Sequence, residues 1–280
     1  MIGTPRQRLA RKIVFYTLLI VTCGILFFPF YWMINTSLAP RDALFLYPPR
    51  LLHPDAQFGS YVDVFRDRPI VRWMANSAYV VLIVTVMSTS MAAFAGYSMS
   101  RFRRPGTNAI GGLLLASRML PTTLLVIPLF VTMQRLELLN SLYSIMLADL
   151  IFIVPFSAWM LKTYFDSIPK DLEEAAWLDG AGRLRGLFQI VMPLAAPGIA
   201  ATALYAAILS WDEFIFARTF ISEERNWTIT LGLASFKGEY VTYWNDIMAA
   251  SLIGTLPIVV VFLFVERYLV TGMTAGSVKG

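Results

Sequence analysis

Pro169-Lys170-Asp171-Leu172-Glu173-Glu174-Ala175-Ala176-Trp177-Leu178-Asp179-Gly180-Ala181-Gly182, continuing to Ile190 and Met192-Pro193, is a polar stretch set between two long apolar runs. Pro169 suits a first helical turn, where its missing amide donor has no helical partner to lose. Asp171, Glu173 and Glu174 follow at once, where negative charge suits the positive end of the helix dipole. Gly180 supplies a C-terminal stop. Residues 183–191 read as a second short helix, closed by Pro193. Two short helices on a water-facing surface, in a chain otherwise suited to lipid, read as a docking surface.

The surroundings justify that contrast. Hydrophobic residues make up 57% of the chain and charged residues 15%, with a mean hydropathy of +0.63. Soluble domains hold about 45–50% apolar and about 25% charged residues, so the chain is expected to be a polytopic membrane protein. Apolar runs cover residues 13–34, 76–99, 109–133, 142–161, 194–216 and 247–269. Each is near the ~20 residues that a helix needs to cross the hydrocarbon. Unpaired backbone groups are not tolerated there, so the runs are read as helices and the fold as all-α with about six spans. The first run is too long for the apolar core of a signal peptide, and no small-residue cleavage site follows it.

The net charge of +5 does not indicate a nucleic-acid partner, because the basic residues sort by topology. With the N-terminus inside, the cytoplasmic segments hold dense clusters: Arg6, Arg8, Arg11 and Lys12; Arg101, Arg103 and Arg104; Lys162, Lys170, Arg183 and Arg185; Arg267 and Lys279. The remaining loop cations lie mostly in two longer outer loops, which weigh less in setting orientation. Both termini and residues 166–193 are therefore expected on the cytoplasmic side. The domain reading is a cytoplasmic N-terminus over 1–12, a membrane domain over 13–270 and a cytoplasmic tail over 271–280. The Pro-rich outer loop 37–73 reads equally as a lid, a partner surface or a solvated loop. Trp227, Phe236, Tyr240, Tyr243 and Trp244 in the second outer loop read as interfacial anchors, or as a stacking surface for a sugar or a delivery protein.

No catalytic constellation is visible. The chain has no P-loop for ATP: Gly180-Ala181-Gly182 is followed by Arg183-Leu184 and lacks the lysine and hydroxyl. His53 is the sole histidine and Cys23 the sole cysteine, which leaves no His- or Cys-based metal site and no disulfide. Ionisable groups inside spans point instead to a solute path. Arg118 lies about 13 Å into its expected helix and Asp149 about 10 Å below the far end of the next, roughly a dozen ångströms apart in depth, so straight helices would not pair them. Trp211, Asp212 and Glu213 close the fifth expected span, where they either line the path or cap the helix. Pro121, Pro128, Pro155 and Pro257 lie inside spans, as in transporters with mobile helices.

Glu174-Ala175-Ala176, three residues, Gly180, nine residues, Ile190, one residue, Met192-Pro193 resembles the EAA signature of ABC importer permeases, with Met192 in place of the usual Leu. Asp179-Gly180-Ala181 is similar to the Asp-Gly-Ala of the maltose-type carbohydrate branch. Trp211-Asp212-Glu213-Phe214 is similar to that branch's Trp-Asn-Glu-Phe, with Asp212 in place of Asn. The ending over Thr271–Gly280 resembles the tail of the branch's smaller permease subunits. The resemblance implies a type I ABC importer permease fold and a cytoplasmic coupling helix. Glu174, Ala175, Ala176, Asp179, Gly180 and Ala181 would then dock on a separate ATPase dimer, and Gly276, Lys279 and Gly280 would reach it through the tail. ATP and Mg would be bound by that ATPase, with no cofactor on this chain. A second, homologous permease, an extracytoplasmic solute-binding protein, a sugar or polyol solute and a bacterial or archaeal cytoplasmic membrane complete the implied setting. An ion-coupled secondary transporter is the alternative; it predicts inverted repeats and midplane ionisable groups within one chain and gives residues 174–180 no role. An intramembrane enzyme would need a nucleophile and base that the chain lacks.

Overall fold

The computed structural model describes residues 5–41, 43–44, 47–102, 106–237 and 242–275. Among them the ordered elements are helices, with one isolated bridge between Lys237 and Thr242. Four helices are long and apolar enough to cross a membrane, and six crossings result when each of two bent pairs counts as one. The chain divides into two compact units, 1–69 with 235–253, and 70–234 with 254–280.

The first unit opens with α1, Pro5–Ser37, which presents apolar side chains such as Leu18, Ile25 and Phe27 on every face. Its last turn anchors the following connection. Asn35 Nδ2 donates to the Arg50 carbonyl at 3.0 Å, Tyr31 donates to the Leu51 carbonyl, and Ser37 meets the Tyr61 hydroxyl on α2, Gly59–Asp67, at 2.9 Å. Arg41 reaches Asp63 and Asp246, each at 3.0 Å. This loop is fastened rather than freely solvated.

The second unit is built on α3, Ile70–Arg101, lying along α6, Leu142–Asp166. Their approach depends on small residues, as close packing within lipid requires. Ser88, Ala92, Ala93, Gly96 and Ser100 are buried on α3, opposite Ser157, Ala158 and Leu161 on α6. A Cβ on Gly96 would stand 2.8 Å from the Lys162 amide nitrogen and 2.9 Å from the Ala158 carbonyl oxygen. Only glycine permits that backbone spacing.

The run at 109–133 is not one helix. It is α4, Thr107–Ser117, and α5, Thr122–Arg135, bent by 91°. Pro121 precedes α5 with extended backbone; it offers no amide hydrogen, and proline disfavours helix at the preceding Leu120. Pro128, Pro155 and Pro257 instead stay within helices.

The polar stretch forms α7, Asp171–Leu178. Pro169 lies outside its first turn, because Lys170 is the N-cap. The second short helix does not close at Pro193. It starts as α8, Arg183–Gly186, widens into a π-helical turn over Leu187–Val191, and continues through α9, Met192–Leu194. The wide turn bonds the Met192 amide to the Leu187 carbonyl five residues back, which accommodates a proline lacking its own donor. A 79° bend then leads into α10, Ala196–Trp211, with Pro197 in the first turn as that position favours. Short helices α11, Ile215–Phe220, and α12, Ile229–Ala234, follow. The last, α13, runs from Trp244 to Ala275, so helix extends past the expected boundary at 270. Likewise α1 begins before residue 13.

Candidate functional site

Helix α7 has one face turned inward and one left open. The inward face is set by Glu173, 1% exposed. Tyr97 donates its hydroxyl hydrogen to Glu173 Oε2 at 2.7 Å, and Arg101 Nε donates to Oε1. The Arg101 side chain is itself 6% exposed. Its Nη1 donates to the Phe165 carbonyl at 2.9 Å and to Ser100 Oγ at 3.1 Å, and its Nη2 to the Ile168 carbonyl at 3.3 Å. Ser100 Oγ donates to Asp166 Oδ1 at 2.7 Å, and Lys162 pairs with Asp166 Oδ2 at 2.6 Å. One guanidinium thus joins the ends of α3 and α6 to α7, using the fork geometry that lysine lacks.

The open face carries Glu174 and Ala175, both exposed, and Ala176, half-buried. Helix α7 ends in a Schellman turn. Gly180 has φ +85°, its amide donates to the Trp177 carbonyl at 3.1 Å, and the Ala181 amide to the Ala176 carbonyl at 2.9 Å. The turn satisfies carbonyls that the helix leaves unpaired. Nothing crowds the Gly180 Cβ position, so the left-handed backbone is what favours glycine there. Asp179 is the C-cap residue and is exposed, and Ala181 is half-buried. Around them stand uncovered apolar side chains: Leu178 at 90% exposure, Leu184 at 67%, Leu172 at 46% and Trp177 at 41%. Exposed apolar side chains rimmed by charged groups of both signs, among them Glu174, Asp179, Arg183 and Arg185, have the composition of an interaction surface.

At the α4–α5 break a cavity of about 200 Å³ is lined by Arg118, Thr122, Asp149, Phe152, Asp212 and Glu213, among others. It gathers four of the five residues expected along a solute path. Trp211 is not among them; its indole nitrogen donates to the Gly254 carbonyl at 3.2 Å. Arg118 is not buried mid-helix, since α4 ends at Ser117 and Arg118 is its C-cap. Its guanidinium donates to the Tyr205 hydroxyl and lies 5.5 Å from the ring centres of Phe156 and Tyr205. No Arg118–Asp149 ion pair forms among the described residues. Asp149, 4% exposed, accepts from Ser210 Oγ at 2.6 Å. Glu213 lines the cavity, and its carboxylate caps a helix other than the fifth span. That helix is the next one, α11, whose Phe216 and Ala217 amides donate to its two carboxylate oxygens at 2.6 and 2.9 Å. Gly276, Lys279 and Gly280 lie outside the described residues.

Sequence reading missed the inward partners. Glu173 stands one residue before the signature glutamate, about 100° away around the helix, so the two glutamates could not share a face. It also missed Asn140, at φ +58°. The Asn140 side-chain oxygen accepts from the Ser222 amide and hydroxyl, each at 2.7 Å, and so joins the turn before α6 to the segment after α11. Asparagine tolerates the left-handed region, which was the available signal.

Residues 71–274 match the family described as binding-protein-dependent transport system inner membrane component. The chain is 35% identical to the trehalose/maltose transport system permease protein of Thermococcus litoralis, over 98% of this chain and 99% of that one. It is 33% identical to the sulfoquinovosyl glycerol transport system permease protein of Agrobacterium fabrum, over 90% and 89%. In fold it is similar to a chain of a bacterial ABC transporter involved in the import of the acidic polysaccharide alginate, with a TM-score of 0.81, 22% identity, and coverage of 96% and 99%. A polytopic helical chain with a type I ABC importer permease fold and this match belongs to the family of binding-protein-dependent transport system inner membrane components, the membrane-embedded permeases of ABC importers.

Proposed function

We propose that the chain is one permease subunit of an ATP-driven sugar or polyol importer, moving solute in company with a second, homologous permease. The observation that carries this reading is the divided α7: Glu173 buried on one side, Glu174, Ala175 and exposed leucines presented on the other. A separate ATPase dimer docks on that face and binds ATP and Mg. Asp179, Gly180 and Ala181 shape the end of the docking helix, and the tail residues Gly276, Lys279 and Gly280 also reach the ATPase. The basic clusters orient α7 and both termini to the cytoplasm. A solute-binding protein delivers the cargo on the opposite side, and the cavity of Arg118, Asp149, Asp212 and Glu213 borders its path. The cargo class rests on the relatives named for trehalose, maltose and sulfoquinovosyl glycerol.

Nucleotide-driven closure of the ATPase pair displaces α7 and shifts the spans between two states, each biased by nucleotide at one end and solute at the other. The test is purification from the native host through a tag on this chain. An ATPase and a second permease should co-purify, and uptake should depend on ATP. Uptake that persists without ATP but stops when the ion gradient is dissipated would overturn the reading.

A further inference from the structure

We infer that the buried Glu173–Arg101–Tyr97 joint is the positioning element that makes α7 a rigid lever, so that push on its open face reaches α3 and α6 without being lost in hinge motion. The inference rests on the reading of α7 as the ATPase-docking helix. A docking helix joined through a short connection would ordinarily pivot: α6 ends at Asp166 and α7 begins at Asp171, with residues 167–170 between them. Here the pivot is blocked from inside. The Glu173 carboxylate is held by two donors on α3, the Tyr97 hydroxyl and Arg101 Nε. The same guanidinium grips the carbonyls of Phe165 and Ile168 on either side of the α6 end. Tyr97 is held in turn by edge-on packing against Phe165 and Phe102, with ring centres 6.1 and 6.4 Å away. A buried carboxylate with a donor on each oxygen exchanges partners with water far less readily than a surface pair does. Glu173 is therefore separated in role from its neighbour: Glu174 meets the partner, and Glu173 transmits what the partner does.

The test uses the complex that co-purifies with the full chain, in liposomes, with MgATP as the probe. Cys23 is the sole cysteine of this chain, so Cys23→Ser leaves it without a thiol, and Thr122→Cys, in the cavity wall, then reports movement through the rate at which a small maleimide labels this chain, read on its own band after the subunits are separated. In that background ATP should change the labelling rate. With Glu173→Gln, which keeps the shape and removes the charge, the complex should stay assembled and hydrolyse ATP. The ATP-dependent change in labelling should shrink at least about fivefold, the low end of coupling between sites. An unchanged labelling response overturns the inference, and so does parallel loss of hydrolysis and response, which would mark a merely structural joint. If Glu173→Gln yields no complex, Tyr97→Phe, which removes one hydrogen bond, decides the matter: a reduced response with hydrolysis retained supports the joint, and a full response contradicts it. Absence of any ATPase from the unsubstituted preparation is a separate result, and it overturns the docking reading itself.

Discussion

Glu173 and Asp149 are both carboxylates almost wholly removed from solvent, and the protein treats them in opposite ways. Glu173 has a guanidinium and a phenol aimed at it and stands at a joint of three helices. Asp149 has a serine hydroxyl and stands in a cavity wall with Glu213, Asp212 and Arg118. The first arrangement spends its polarity on fixing geometry. The second leaves acidic groups beside space that another molecule can fill. A buried carboxyl with a dedicated cation marks a fastener here, and the one without it borders a cavity.

The sharpest way to break that contrast is to remove one partner from each place. Arg101→Ala leaves the Glu173 carboxylate buried and unpaired, and should cost about 3–5 kcal/mol. Asp149→Asn keeps an acceptor for Ser210 and should cost under about 1.5 kcal/mol, while lowering uptake. Thermal unfolding of the detergent-solubilised complex measures both. Equal losses in the two variants would erase the distinction. Adding Glu173→Leu to Arg101→Ala should recover part of the lost stability, because the stranded charge is gone.

Packing supplies the next test. Gly96→Ala places a methyl against backbone on α6, which cannot rotate away as a side chain can, and should cost about 1–3 kcal/mol. The smallest effect is expected at the turn: Gly180→Ala should cost about 1–2 kcal/mol through the left-handed backbone alone. Because no atom crowds that Cβ, Gly180→Asn should recover much of the loss. Both are read from the same unfolding curves, and a Gly96→Ala effect smaller than that of Gly180→Ala would contradict the close approach of α3 and α6.

The two regions also differ in how far the sequence exposed them. The spans were legible because lipid demands long apolar runs, and the C-terminal turn of α7 because Gly180 combines a helix stop with a favoured left-handed conformation. The break within 109–133 was not, whereas the one after Pro193 was read to within two residues. Hydropathy runs on smoothly through Leu120-Pro121, and a proline inside an apolar run can either end a helix, as Pro121 does, or sit within one, as Pro155 does. Composition does not choose between them; the packing around each does. That is why Arg118 was expected deep in a helix and is found at its end. Glu173 escaped notice for another reason. Its partners Tyr97 and Arg101 are more than seventy positions away, and Arg101 had already been explained as a topological charge. Glu213, read as a cap of its own span or a path lining, borders a cavity and caps the next helix instead, since that helix begins where its carboxylate can reach.

Coupling to an ATPase depends most on the open face of α7. The direct measurement is the amount of ATPase retained per tagged chain with Glu174 intact and with Glu174→Lys, both checked for equal membrane insertion. Docking through this face predicts ATPase in the first preparation and a loss of at least about fivefold in the second, the lower end of an interface hot spot. Equal retention in the two, with uptake unchanged, would contradict it.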